Sequence, residues 1–120
     1  MFKFLAVFIG GGVGSIARYA LSILFQNVNS KFPFATVLSN FLSCLIMGLF
    51  ILFISEKIIS SSIWRLLLIV GFCGGFSTFS TFSLESLNLF EDHHYGYFVL
   101  NILLSLVFGI GVLFILTKKI

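Results

Sequence analysis

Four long apolar runs make up this chain, separated only by three short polar stretches, QNVNSKF, SEKIISS and EDHHYG. The runs cover about 4–25, 34–55, 63–90 and 95–117. A bilayer core of roughly 30 Å takes about 20 helical residues to cross, so each run is long enough to span it. Soluble domains keep a polar face, and here 59% of the 120 residues are hydrophobic and only 9% charged, too few to cover one. Backbone in hydrocarbon must satisfy its own hydrogen bonds, and continuous runs of this length do so as helices. The expectation is an all-α integral membrane protein, one four-helix transmembrane domain over residues 1–120. Pro33 suits the start of the second helix, and Ser60 to Ser62 offer caps for the third.

Several function classes lose support at once. Lys3 and FLAVFI imitate a secretory signal, with Ser15-x-Ala17 as a faint cleavage site, but the apolar segment continues into YALSILF and is expected to stay. Cys44 and Cys73 lie singly within predicted spans, without a CxxC, and read as small buried hydrophobes. His93 and His94 follow Glu91 and Asp92 in a loop and read as a solvated turn. The glycine cluster at Gly10, Gly11, Gly12 and Gly14 is no dinucleotide fingerprint, since its sixth position is Ser15 and no βαβ unit surrounds it. With no nucleophile–base pair, metal cluster or phosphate loop, no enzyme is expected, and no nucleic-acid partner.

The third run carries the anomaly. VGFCGGFSTFSTFS, residues 70–83, sets Gly74 beside Gly75 and follows them with Ser77, Thr78, Ser80 and Thr81 among phenylalanines. Adjacent glycines weaken a helix, so the chain is expected to unwind over 74–78. At 1.5 Å per residue Gly74 lies ~16 Å deep, near the bilayer midplane. Broken helices at that depth present carbonyl oxygens to cations and amide dipoles to anions. The same arithmetic puts Phe82 ~12 Å, and Asn40 and Asn101 ~10 Å, from the side away from the termini. Arg18, ~21 Å from the terminal side, falls in the same layer. Each helix therefore contributes a polar or quadrupolar group at one level, and the pattern reads as an ion site.

Plainer readings exist residue by residue. Asn40 and Asn101 could simply bond between helices, Arg18 could snorkel, and Phe79 and Phe82 could face lipid in a chain with 17 Phe. Gly10 to Gly14, and Gly71 with Gly75, read as small-residue packing faces. Packing alone leaves the paired glycines and the hydroxyl run over 74–81 without a purpose.

These residues resemble a known family. GFCGGFSTFSTFS (71–83) is similar to the third-helix signature of the Fluc/CrcB fluoride channels, GGGVGSIARY (10–19) to their first-helix motif, and ATVLSNFLSCLIMG (35–48) to their second. The resemblance covers the whole chain and is weakest in the fourth helix. It implies a fluoride-specific channel for passive efflux from the cytoplasm of a prokaryote, in the inner membrane, lowering fluoride toxicity. It further implies an antiparallel, dual-topology dimer with two fluoride paths and one structural sodium ion at the interface. Main-chain oxygens of Gly74 and Ser77 would hold that ion; Phe79, Phe82, Asn40, Ser80 and Thr81 would line the fluoride path. Arg18, Asn101 and Ser105 would belong to a vestibule or polar track. Position 77 is Ser where family members often carry Thr, which a carbonyl ligand tolerates.

The chemistry of the residues agrees with that role. Asn amides and Ser or Thr hydroxyls can donate to an anion that sheds its water. A phenyl ring has a positive edge that meets an anion without trapping it, as conduction requires. Two other readings remain: a small multidrug antiporter, which lacks a central carboxylate because Glu85 lies only ~8 Å from one side, and a non-transporting scaffold subunit. Charge bias bears on assembly. Lys3, Lys57, Arg65, Lys118 and Lys119 fall on the side of the termini against Lys31 opposite, a lean toward cytoplasmic termini. A homodimer is expected nonetheless, with a pair of oppositely inserted related chains as the other arrangement.

Overall fold

A computed structural model of the protein describes residues 1–54 and 62–118, and among them every regular element is a helix. Helix α1 is Phe2–Leu24 and α2 is Phe34–Phe53. The third span consists of α3 (Arg65–Cys73, π-helical), α4 (Gly74–Phe76) and α5 (Phe79–Glu91), and α6 is Tyr95–Thr117. Four segments, Phe2–Leu24, Phe34–Phe53, Arg65–Glu91 and Tyr95–Thr117, are long and apolar enough to cross a membrane. They match the four expected spans within two residues at each described end, and the chain is a multi-pass membrane protein. Pro33 stands just before the first residue of α2, as expected. Ser60, Ser61, Glu56, Lys57 and Lys119 lie outside the described residues; Ser62 accepts from the Arg65 amide at 3.1 Å through its backbone carbonyl, and its hydroxyl, without a partner, does not cap the third span.

The burial pattern is that of a lipid-solvated protein. Leu106, Val107, Ile110 and Phe114 on α6 are exposed, whereas Thr36, Ser39, Ser43, Ser86 and Asn101 are buried. Lipid is as apolar as leucine, so burying leucine gains little, and the helices associate through close packing and polar contacts instead. Two interfaces show this. Helices α2 and α6 pack around Gly48, under the Leu116 side chain, and Gly109, whose added Cβ would lie 3.5 Å from Cys44 Sγ. Helix α1 packs on α3 and α4 backbone to backbone. A Cβ at Gly10 would fall on the Leu67 carbonyl oxygen, one at Gly14 on that of Phe72, and one at Gly75 on that of Gly11. At Gly71 it would lie 2.9 Å from the Gly10 Cα. Gly10 with Gly14, and Gly71 with Gly75, are thus facing small-xxx-small pairs, as read in the sequence, whereas Gly12, read with them, has nothing within 4 Å of an added Cβ.

That packing corrects the expectation for the glycines. The third span is interrupted, but within the expected 74–78 the extended residues are Ser77 (φ −80°, ψ 157°) and Thr78 (φ −152°, ψ 119°). Gly74 is helical, at φ −64° and ψ −35°. Gly75 is helical too, and it lacks a side chain because α1 is against it, not because the chain unwinds there. The break comes two residues later, where hydroxyl side chains can serve the freed backbone.

Candidate ion site at the break in the third span

Helix α4 stops at Phe76 because the Thr78 amide takes a partner off the helix. The Ser77 amide still closes a helical bond to the Cys73 carbonyl (2.9 Å). The Thr78 amide would next bond the Gly74 carbonyl if the helix continued. It donates instead to Asn40 Oδ1 on α2, at 2.7 Å, while Asn40 Nδ2 donates to the Thr78 carbonyl at 3.4 Å. One side-chain amide thereby occupies both backbone groups of an extended residue, as a neighbouring strand would. Helix α5 then restarts with Thr78 as its N-cap, Oγ1 accepting from the Thr81 amide at 3.2 Å.

This exchange releases the carbonyls at the end of α4. The Gly74 oxygen loses its helical donor, and a Cβ on exposed Gly74 would meet nothing within 4 Å. The Gly75 oxygen accepts from Arg18 Nε on α1 at 3.3 Å. Arg18 is half-buried and held at the break, so it is more than a snorkelling cation. The carbonyl end of one helix and the amide end of another meet here, placing a partial negative and a partial positive pole two residues apart.

A groove of about 240 Å³ opens beside the break, lined by Asn40, Cys44, Ser77, Thr78, Phe79, Phe82, Ser105 and Leu106. The Phe79 and Phe82 rings lie 6.0 Å apart between centroids and tilted by 40°, with Phe79 80% exposed and therefore open to whatever covers this face. A larger groove of about 310 Å³, at Phe25, Phe34, Val37, Leu38, Phe41 and Phe108, offers an ion no donor.

Five of the site residues expected from the sequence, Asn40, Ser77, Phe79, Phe82 and Ser105, line this one groove. Ser105 Oγ is enclosed without a hydrogen-bond partner, so it can turn to an ion or water. Thr81 stands behind the lining, accepting from Thr78 Oγ1 at 3.1 Å, and Ser80 is exposed, 3.4 Å from the same hydroxyl. Asn101 lies apart: fully buried, it donates to Ser86 Oγ at 3.0 Å and ties α6 to α5. Three roles were not read from the sequence. Thr78 is cap and clamp point together, signalled only by a Thr directly before the first residue of α5. Glu85 accepts from Thr36 Oγ1 at 2.9 Å, and its other oxygen is enclosed without a partner. Ser43, on α2 one turn from Asn40, donates to the Cys73 carbonyl at 2.9 Å, and no local signal reveals an interhelical bond of that kind.

Comparison with known proteins places this arrangement. The family described as CrcB-like protein, Camphor Resistance (CrcB), matches residues 5–116. A "Fluoride-specific ion channel FluC" of Saccharophagus degradans is 42% identical over 119 residues, 96% of this chain and 89% of that protein. A protein of the same name from Coxiella burnetii is 41% identical over 109 residues, 89% of this chain and 88% of its own. A third, from Escherichia fergusonii, is 41% identical over 103 residues, covering 86% and 81%. Nearly the whole transmembrane domain is matched, including all four spans and the break: the chain belongs to the CrcB family.

Proposed function

We propose that the protein is a fluoride-specific ion channel that lets fluoride leave the cytoplasm passively, in the inner membrane of a prokaryote. One observation carries the reading: an amide, hydroxyls and two phenylalanines beside the break line a single groove. Relatives that cover nearly all of this chain bear the corresponding name. Fluoride holds its water tightly, so a path needs donors that replace it. Asn40 Nδ2 has a second N–H beyond its long bond to Thr78, and Ser105 has a free hydroxyl. In this reading Phe79 and Phe82, which line the same groove, offer ring edges to the anion, and Ser80 and Thr81 add hydroxyls nearby.

The open face argues for an assembly. A released carbonyl at Gly74 and an exposed Ser80 would both meet lipid in a single chain, which hydrocarbon penalises. A second copy covers them in the proposed antiparallel homodimer. The main-chain oxygens of Gly74 and Ser77 suit a sodium ion there, because hard cations take oxygen ligands and the Gly74 oxygen has lost its helical donor. Sodium would neutralise carbonyl dipoles that otherwise face one another across the interface.

The test is efflux from liposomes containing the purified single chain. Fluoride should leave and chloride stay, with no proton gradient required. Release of neither anion, or of both alike, would overturn the proposal, and strict dependence on a proton gradient would favour an antiporter using Glu85. Within a working channel, Phe79→Ile and Phe82→Ile keep bulk and apolarity but remove the ring edge. Fluoride flux should fall at least about tenfold in each, on the scale of losing an interaction worth ~1.4 kcal/mol, while the assembly still elutes as the parent does. Parental flux in both variants would return these rings to a lipid-facing role.

A further inference from the structure

Ser43 has no evident reason to be polar. It is 1% exposed, in the middle of α2, where any small apolar residue would pack. Four other hydroxyls of these spans bond within their own helix: Ser22 to the Tyr19 carbonyl, Ser39 to that of Thr36, Ser83 to that of Phe79 and Thr117 to that of Leu113. Ser43 instead crosses to the third span and donates to the Cys73 carbonyl at 2.9 Å. That oxygen is already served twice, by the Ser77 amide at 2.9 Å and by Ser77 Oγ at 2.7 Å. A carbonyl has two lone pairs, so the third donor adds nothing that this oxygen lacked, and an apolar residue at 43 would leave it satisfied. Its effect is to fix position.

What it fixes follows from its neighbour. Asn40 and Ser43 are three residues apart and share one face of α2. Asn40 holds Thr78, within the break, and Ser43 holds Cys73, one helical turn before it. Between these two anchors lie Gly74 and Ser77, the residues whose oxygens face the proposed cation. We propose that Ser43 is a positioning residue: with Asn40 it brackets residues 74–77 from α2 and sets where the Gly74 and Ser77 oxygens lie relative to each other. The cation's role rests on the channel reading above; the bracket itself does not.

Two measurements keep those apart. Hydrogen exchange by mass spectrometry on the whole protein in detergent reads the bracket directly. Ser43→Ala should speed exchange of the segment holding the Ser77 and Thr78 amides by about threefold to tenfold, the scale of one interhelical hydrogen bond in a membrane. Ser43→Thr, which keeps a hydroxyl, should restore the parental rate. Ser39→Ala removes a buried hydroxyl from the same helix, but one bonded to its own helix, and should leave that segment unchanged. Equal exchange in Ser43→Ala and parent, or equal acceleration by Ser39→Ala, overturns the bracket whatever the flux. In liposomes, Ser43→Ala should raise the sodium concentration for half-maximal fluoride flux by a similar factor, with flux at saturating sodium retained. A lower plateau at an unshifted sodium midpoint would overturn the positioning role. Absence of fluoride flux in the parent would instead count against the channel reading alone.

Discussion

Gly14→Ala should destabilise the protein severely, while Gly12→Ala, two residues away on the same helix, should leave the folded chain intact. A methyl at Gly14 falls on the Phe72 carbonyl oxygen and lies 2.8 Å from the Phe76 amide nitrogen; one at Gly12 meets nothing within 4 Å. The obstructing atoms are backbone on both counts, so no rotamer change relieves them, and α1 must move away from α3 and α4. Overpacking of a tight site costs about 1–3 kcal/mol where side chains can yield, and this site should reach or exceed the upper end. Separation of the two helices would also take Arg18 from the Gly75 carbonyl. Thermal unfolding in detergent, followed by size exclusion, measures the difference. Gly12→Ala should elute as the parent does, with a midpoint unchanged or raised, since alanine favours a helix interior by up to ~1 kcal/mol over glycine. Equal midpoints for the two variants would mean that α1 and α3 are not in backbone contact.

Asn40→Asp should all but abolish fluoride flux. The carboxylate keeps an acceptor for the Thr78 amide but loses the donor to the Thr78 carbonyl, and it places a negative charge in the groove. Two unit charges ~4 Å apart at an effective dielectric of about 20 repel by ~4 kcal/mol, about a thousandfold in rate or occupancy. Asn40→Ala is the informative partner. It removes the clamp without adding charge, leaving Thr78 backbone groups unpaired at a cost of ~1–3 kcal/mol, and should impair flux less than the aspartate does. The measurement is initial efflux from liposomes holding equal amounts of each variant. Parental flux in Asn40→Asp would remove Asn40 from the ion path, though not from the clamp.

The glycine motifs show how far local sequence reached. Gly10, Gly14, Gly71 and Gly75 were legible as packing faces because spacing by four is a property of one helix read alone. The same local reasoning took Gly74 and Gly75 for the point of unwinding and was two residues early. Helix propensity ranks residues in isolation, whereas where this helix ends depends on which acceptor the Thr78 amide finds, and that acceptor is Asn40, 38 positions away in the chain.

Length and composition alone determined the class of this protein: four apolar runs, each able to cross a bilayer, leave hydrogen-bonded helices as the answer to a solvent that accepts no bare backbone. Asn40 and the hydroxyl run were readable as candidates because polar groups in hydrocarbon require a reason, whereas Phe79 and Phe82 were readable as pore residues only through the family resemblance. Tertiary structure decided which of them meet. It set Asn40 on the backbone of Thr78, Arg18 on Gly75 and Ser43 on Cys73, and it sent Asn101 to Ser86, away from the groove. Depth along a helix follows from counting residues, but the direction a side chain faces depends on how neighbouring helices rotate and pack, and that is settled only between helices.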